Sequence, residues 1–392
     1  MLFLIAGCVL GTITGLVPGL HSNTVSVLIV AFVKTQDFNF ALLIVAMNIV
    51  QAFVDFVPNI LLGVPDNDSF ISVLPGHYFF LKGEALHAIR LAAAGGVIAA
   101  ILSIPFSFAL FLFITQAENF LKSIMAFVLI SFVVWTVVRE RGIERKVLAA
   151  VIVAMSGLLG VVALRGIAFG DALFPLITGF FGVAGLIYSL NSKNVLVDQN
   201  LQERNLNGNK TFFAGLLALV AGAIVAIVPS VGPGQAAVIA KEMKGNMGRG
   251  EFLTMLGGLN VSNAIFSIVV LFSIGSVRSG AAAAVRELSS LSIENALFIF
   301  AAAVFAAGFG ALIVEGLGKE AANAMQKLNY RKINAAVLVF SFLMVAVLNG
   351  VPGLLLLFTS ASIGILAIAT KISRTACMSC LIFPTILFYL GL

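Results

Sequence analysis

Charged residues are scarce in this chain. Asp, Glu, Lys and Arg make up 10% of its 392 residues, whereas hydrophobic residues make up 60%. Soluble domains carry roughly a quarter charged residues, so this composition excludes a soluble globular protein. Several apolar runs reach the roughly 20 residues that a helix needs to cross a bilayer, and none shows the short alternating segments of a membrane β-barrel. We therefore predict an all-α polytopic membrane protein.

Residues typical of catalytic and metal sites are also few. The chain has three His and three Cys, and Cys8, Cys377 and Cys380 lie in apolar runs where packing is the simplest role. The H-E-x-x-H and G-x-S-x-G motifs are missing, and "AFGD" (168–171) does not complete the G-x-G-D of an intramembrane aspartyl protease. We therefore expect no enzyme activity, no metal and no cofactor apart from a coupling Na⁺ or H⁺.

The two halves of the sequence share one pattern. Shifted by about 211 positions, "GTITGLVPGLHSNT" (11–24) lies over "GAIVAIVPSVGPGQ" (222–235) with Gly, Ile, Val and Pro in common. At nearly the same offset, Asn48 lies over Asn260. Several matches in the same order indicate a duplicated unit.

Each half begins with a broken hydrophobic element, at 2–33 and 211–240. About five uninterrupted spans follow each element, near 40–64, 88–114, 121–138, 147–164 and 172–190 in the first half and near 252–276, 293–314, 333–350, 353–370 and 375–391 in the second. The predicted organisation is a first membrane repeat at 1–190, a polar cytoplasmic linker at 191–210 and a second membrane repeat at 211–392.

The basic residues indicate that the repeats have opposite orientations. If each broken element is a re-entrant hairpin, five crossings remain per half, and most of the 23 Lys and Arg then fall in cytoplasmic loops. Equivalent loops also exchange charge, since "RERGIERK" (139–146) is basic and its counterpart "NGVPG" (349–353) is uncharged. We predict inverted-topology repeats in a multi-pass protein of the cell membrane.

The broken elements contain Pro and Gly where an uninterrupted helix would have neither. Pro18 lacks an amide hydrogen and disfavours helix at Val17, so we predict a helix end there. A new helix is expected to begin around His21 to Thr24, with Ser22 or Asn23 as its N-cap. Non-helical backbone at membrane depth is tolerated where it lines a cavity, and free amides at a helix start attract anions. Simple kinks in packed helices are the alternative. The predicted anion site comprises Gly19, His21, Ser22, Asn23 and Thr24, with Gly232, Gly234 and Gln235 of the second half.

Polar residues inside the other spans are few. Asp55, in "NIVQAFVDFVPNILLG" (48–63), is the carboxylate deepest in an apolar stretch, where an acid costs about 2.5 kcal/mol or more without a partner or cavity. We predict that Asp55 is the ion-coupling residue, with a structural ion pair or an edge position left open. Asn48, Asn260 and Asn263 are predicted to line the cavity; together with Gln51 and Asn59 they could instead form interhelical hydrogen bonds.

The first half resembles the large permease subunit of tripartite tricarboxylate transporters (TctA-like). Gly11, Gly15, Pro18 and Gly19 fit the G-x-x-x-G-x-x-P-G element of that family. Later motifs of the family fall near Gly63 and Pro65, Gly76 and Tyr78, and Gly83, Ala85 and Ala88. The resemblance implies a divergent, compact secondary transporter that imports carboxylates with an ion gradient, beside a small membrane subunit and an extracytoplasmic solute-binding protein.

These patterns lead to two hypotheses about function. The first is a secondary active transporter that moves a small anionic solute, most simply a carboxylate, coupled to H⁺ or Na⁺. The alternative is a translocase of a lipid-linked phosphate such as polyprenyl phosphate, because a helix start binds phosphate as readily as carboxylate. A lateral opening to lipid would favour the alternative.

Overall fold

The computed structural model of this chain is helical throughout the part that it describes. The described residues are 1–17, 21–33, 36–62, 73–166, 172–190, 198–200, 205–227, 233–325 and 330–392. Within these ranges seven helices are long and apolar enough to cross a membrane: Phe38–Leu61, Ala85–Gln116, Ile143–Arg165, Gly208–Ile227, Arg249–Ile274, Ile293–Ala324 and Leu338–Ala369. The prediction of a polytopic all-α membrane protein is confirmed.

The first half contains nine α-helices among its described residues, and a π-helical stretch at Thr178–Val183 separates the last two. They are α1 (Leu2–Leu16), α2 (Ser22–Val33), α3 (Phe38–Val54), α4 (Phe56–Leu62), α5 (Val73–Leu81), α6 (Ala85–Val138), α7 (Ile143–Arg165), α8 (Leu173–Ile177) and α9 (Ala184–Leu190). The predicted spans at 88–114 and 121–138 belong to one continuous helix, α6, in which Ala85–Gln116 and Ser123–Val138 are separate apolar stretches. The polar residues between these spans are mostly good helix formers without Gly or Pro, so nothing local stops the helix.

The second half repeats this order of elements. Its helices in the described residues are α10 (Gly208–Ile227), α11 (Pro233–Lys244), α12 (Arg249–Ile274), α13 (Gly280–Leu288), α14 (Ile293–Met325), α15 (Tyr330–Ala369) and α16 (Ser379–Leu390), the last preceded by a 3₁₀ turn at Arg374–Met378. The predicted spans 333–350 and 353–370 meet inside α15 at a kink. There Gly350 has a φ of 61° and a ψ of −156°, a conformation that favours glycine, and Pro352 follows.

Two short helices, α5 and α13, were not predicted. Each follows the first long span of its half and precedes the next one, so the two occupy equivalent places in the repeat. Gly83, at the turn after α5, has a φ of 75°, and α6 begins two residues later at Ala85. Both helices are too short to cross a bilayer, and a search for long apolar runs therefore passes over them.

The chain divides into two compact units. The first comprises Met1–Gly63, Ile71–Glu118 and Val195–Leu328, so both halves of the sequence contribute to it. In this unit α1 packs closely on α3, where a Cβ at Gly11 would lie 2.5 Å from the Met47 carbonyl oxygen and 2.9 Å from the Val50 Cβ. The pair α10 and α12 approaches in the same way, with Gly222 against Ser262. These contacts join residues that are equivalent in the proposed repeat.

The second unit contains Asn119–Asn194 and Asn329–Leu392. Here α7 packs on α16 through Gly157, which lies against Phe383, and α15 packs on the π-helical stretch and α9 through Gly364, which lies against Phe180 and Ala184. Glycine at these positions lets apolar helices approach without a large side chain between them. The boundaries of the repeats and their inverted orientation stay predictions.

The linker between the halves is anchored to the first unit by Gln199. This side chain is buried; its Oε1 accepts from the Ala85 amide at 3.2 Å and its Nε2 donates to the Phe80 carbonyl at 3.0 Å. It thereby satisfies the Ala85 amide at the start of α6 and gives a second donor to the Phe80 carbonyl, which also accepts from the Gly83 amide at 2.9 Å. The polar linker thus contributes one buried side chain to the first unit, and its cytoplasmic location stays a prediction.

Candidate functional site

The first interruption of the chain lies between α1 and α2, and we call it the first break. Helix α1 ends at Leu16, and its C-cap Val17 is extended with a φ of −96° and a ψ of 105°. Helix α2 begins at Ser22. The predicted end at Val17 and restart near residue 21 are confirmed, while Pro18 and Gly19 themselves lie outside the described residues.

The first amides of α2 have side-chain partners. The Ser22 amide donates to the Gln51 Oε1 at 2.6 Å, and the Asn23 amide donates to the His21 Nδ1 at 3.2 Å. The helix is therefore capped by His21, whereas Ser22 or Asn23 was predicted as the cap. Because Nδ1 accepts, the neutral His21 ring carries its proton on Nε2.

Gln51 also has an unsatisfied donor at this place. Its Oε1 must face the Ser22 amide, which can only donate, so the orientation of the Gln51 amide group is fixed. The Nε2 of the same group is buried and has no hydrogen-bond partner among the described residues. Beside it, the Ser22 hydroxyl donates to the Asn48 Oδ1 at 2.9 Å. An acceptor atom of a ligand would satisfy the Gln51 Nε2.

Asp55 lies at the junction of α3 and α4. The residue is buried, and the Asn260 Nδ2 of α12 donates to its Oδ2 at 3.4 Å. Pro58 has no amide hydrogen for the Val54 carbonyl, so the helical hydrogen-bond ladder is interrupted beside the carboxylate. The Asn260 Oδ1 is buried and has no partner within the described part of the chain. The buried carboxylate of Asp55 and the buried amide oxygen of Asn260 thus belong to neighbouring side chains, and oxygens of these kinds are ligands that hard cations prefer.

One face of α3 and α4 carries these polar side chains. Asn48, Gln51, Asp55 and Asn59 follow one another at intervals of three or four residues, which puts them on one side of a helix. Asn48 and Gln51 lie near the middle of the span Phe38–Leu61. The sequence contained this spacing, but Gln51 and Asn59 were not assigned to the site. Their spacing from Asp55 was the signal that could have included them.

The Asn23 side chain contacts the start of α13. Its Oδ1 accepts from the Ala281 amide at 3.0 Å, and its Cβ lies close to Gly280 at the start of α13. Ser279 caps the same helix by accepting from the Ala282 amide at 3.1 Å. The Asn23 carbonyl therefore ties α2 to α13, and the Nδ2 is the part of this side chain that a solute would meet.

The second interruption lies between α10 and α11, and we call it the second break. Helix α10 ends at Ile227 and α11 begins with Pro233, a residue that suits the first position of a helix. Gly234 and Gln235 therefore supply the first amides of α11, and Gly232 lies outside the described residues. The side chains of Gln235 and Thr24 are likewise outside the described part. Asn263 is half-buried on α12, and its carbonyl accepts from the Ser267 hydroxyl at 2.7 Å.

Comparison with known protein families identifies a transport family. The family model described as "Tripartite tricarboxylate transporter TctA family" matches residues 1–379. The chain is also similar to the uncharacterized protein MJ1079 of Methanocaldococcus jannaschii, at 28% identity over 408 aligned positions that cover 100% of this chain and 99% of that protein. No solved structure matches the chain.

Proposed function

This chain belongs to the tripartite tricarboxylate transporter TctA family, and on that premise we propose that it carries a small carboxylate across the cell membrane together with H⁺ or Na⁺. Membership makes it a multi-pass membrane protein of a transporter family. The family description names tricarboxylate transport and so gives no support to a lipid-linked phosphate as the cargo. The finer proposal depends on the polar groups of α2, α3 and α12.

The observation that carries the proposal is the unsatisfied donor of Gln51 beside the first break. A buried N–H without an acceptor costs about 1–3 kcal/mol, and a carboxylate oxygen would remove that cost. The start of α2 adds the positive end of a helix dipole at the same place. The carboxylate would be bound by the Gln51 Nε2 and the Asn23 Nδ2, with Gly19, His21, Ser22 and Thr24 completing the site.

The cation would bind at Asp55. Its carboxylate, the Asn260 Oδ1 and the Val54 carbonyl are oxygen ligands suited to Na⁺, and a proton would bind to the carboxylate itself. Asn48 accepts from the Ser22 hydroxyl and lies on the same helix face as Asp55, one turn before Gln51.

The spacing of the two sites explains how the fluxes would be coupled. The Asp55 amide bonds the Gln51 carbonyl at 3.0 Å, so these residues are helical neighbours about 6 Å apart. Two negative charges at that distance repel by about 3 kcal/mol at an effective dielectric constant near 20. A cation on Asp55 removes this repulsion and raises the affinity for the anion by about 100-fold.

The second break supplies the equivalent groups of the other half. The amides of Gly234 and Gln235, after Gly232, would face a second part of the solute, with Asn263 on the neighbouring helix. The tripartite character of the family suggests a small membrane subunit and an extracytoplasmic solute-binding protein as partners. Both would deliver solute to the permease from outside.

Exchange of radiolabelled carboxylates in proteoliposomes tests the proposal. Vesicles loaded with an unlabelled carboxylate should take up the same labelled compound by counterflow, with or without an ion gradient. Citrate, succinate and acetate, which carry three, two and one carboxylate groups, are tested in turn. If every carboxylate is excluded while the protein is folded, the proposed cargo is wrong.

The Gln51→Glu variant tests whether the Gln51 Nε2 binds the solute, because it removes this donor and keeps an acceptor for the Ser22 amide. One oxygen of the introduced carboxylate still accepts from the Ser22 amide, but the other oxygen repels a bound carboxylate where the Nε2 would hold it. We expect counterflow to fall by at least tenfold. Gln116→Glu, an exposed change on α6, is the matched control and should exchange like the wild type. Equal exchange by both variants would remove Gln51 from the solute site.

A further inference from the structure

A separate cavity of about 280 Å³ lies in the first unit, where the end of the linker meets α12. Asn207, Lys210 and Thr211 line it from the start of α10, and Gly248 and Thr254 line it from the start of α12. Its lining includes none of the residues proposed above for the solute or the cation. The cavity therefore needs its own explanation.

The first turn of α12 is open toward this cavity. Gly248, the N-cap, offers no side chain to the first amides of the 26-residue helix, and within the described residues no other side chain caps them. A Cβ at Gly248 would meet the Glu251 Oε1 at 3.9 Å and no nearer described atom. Free amides and the positive end of the dipole favour an anion here.

Thr254 supplies an independent indication of a ligand. The residue is fully buried and lines the cavity, and its Oγ1 has no hydrogen-bond partner among the described residues. Hydroxyls inside helices commonly bond the carbonyl four residues earlier, as Ser267 does on the same helix at 2.7 Å. A buried hydroxyl without such a bond is costly unless a ligand oxygen completes it.

The charges around the cavity are predominantly positive. Glu251 lies in its wall, but the Lys244 Nζ is 3.0 Å from one of its oxygens and the Lys210 Nζ is 3.3 Å from the other. Lys244 can keep Glu251 neutralised while Lys210 turns to an anion. At the rim, Arg249 stacks on the Tyr78 ring with 3.9 Å between its Cζ and the ring centroid.

We propose that this cavity binds a phosphate-class oxyanion. The Thr254 hydroxyl, the Lys210 ammonium group and the first amides of α12 are its donors. A lipid phosphate headgroup and free phosphate share this chemistry, and the apolar side chains of Phe79 and Leu91 in the lining leave room for either. The site is distinct from the proposed transport site and does not depend on it.

Titration of the purified protein in detergent tests the site. One arm adds orthophosphate and the other adds dioctanoyl phosphatidic acid, with binding measured by isothermal titration calorimetry. We expect Thr254→Val and Lys210→Gln each to weaken binding by about tenfold, the value of one hydrogen bond to a charged group. Thr254→Ser keeps the hydroxyl and should bind normally, as should Ser267→Ala. Binding in the orthophosphate arm identifies free phosphate, and binding in the phosphatidic acid arm alone identifies a lipid headgroup.

Two results would overturn the site. One is the absence of binding in both arms for the folded wild type. The other is binding that survives in Thr254→Val and Lys210→Gln but is lost in Gln51→Glu, which would place the oxyanion at the first break. Failure of carboxylate counterflow leaves the prediction for this cavity unchanged, because the titration needs no transport.

Discussion

Replacing Asp55 with Asn is expected to abolish concentrative uptake while solute exchange continues. The amide is nearly isosteric with the carboxylate, so the packing of α3 and α4 is kept. Without the charge, however, a cation has no site and anion affinity no longer depends on it. With one-to-one coupling of a monoanion, a 100-fold cation gradient drives accumulation of up to about 100-fold, or about 2.8 kcal/mol, and the variant should fall to equality across the membrane.

Uptake of a labelled carboxylate under an imposed Na⁺ or H⁺ gradient measures this effect, with counterflow as the test of intact exchange. The gradient that drives the wild type identifies the coupling ion. Asp37→Asn is the matched control, because Asp37 precedes the same helix at its end, is only half-buried, and caps the first turn by accepting from the Asn39 amide at 2.9 Å. Accumulation by Asp55→Asn equal to that of the control would show that the coupling group lies elsewhere.

The helix interruptions could be predicted from the sequence because their cause is local. Pro18 removes an amide hydrogen and restricts the residue before it, and the end of α1 follows from these two effects alone. The continuity of α6 through its polar middle could not be predicted from hydropathy. Hydropathy indicates which residues lie in the membrane, whereas helix propensity decides whether the backbone stays helical. Hydropathy separates apolar from polar segments, whereas the backbone stays helical through residues 115–120 because they include neither Gly nor Pro.

The candidate site could be predicted in part. Asp55 and Asn48 stand out because polar residues are rare in apolar spans, and the structure brings Asp55 to Asn260 of the other half. The partners of the α2 amides could not be inferred, because Gln51 and His21 reach them through tertiary packing that leaves no local signature. The same holds for Asn23 and α13, which are far apart in sequence. Capping by distant side chains is a property of the fold, and its sequence signal is a polar residue with no evident local role.

Two unsatisfied groups of opposite polarity distinguish the proposed anion site from the proposed cation site. Gln51 leaves a donor without a partner among the described residues, and Asn260 leaves an acceptor. A free donor such as the Gln51 Nε2 binds an anion. An acceptor beside a carboxylate, as at Asn260 and Asp55, binds a cation, so the two sites differ in the charge of their ligands.

Gly257→Ala is expected to destabilise the protein by about 3 kcal/mol or more, because its new methyl group meets backbone. A Cβ at Gly257 of α12 would overlap the carbonyl of Ala92 on α6 and lie 2.8 Å from its Cα. No flexible side chain can give way there, so the helices must separate. In the opposite direction, Ala is favoured over Gly in a helix by about 1 kcal/mol, and the clash exceeds this gain.

Gly308→Ala is the matched control that separates the steric clash from the gain in helix propensity. A Cβ at Gly308 of α14 meets no described atom within 4 Å. This control should be as stable as the wild type or slightly more stable, when thermal unfolding in detergent is followed by circular dichroism. Asn260 lies one helical turn after Gly257, so displacement of α12 should also weaken its hydrogen bond to Asp55 and reduce coupled uptake. A Gly257→Ala variant with the thermal midpoint of the control would show that α6 and α12 are not packed at this distance, and the position of Asn260 beside Asp55 would then lose its support.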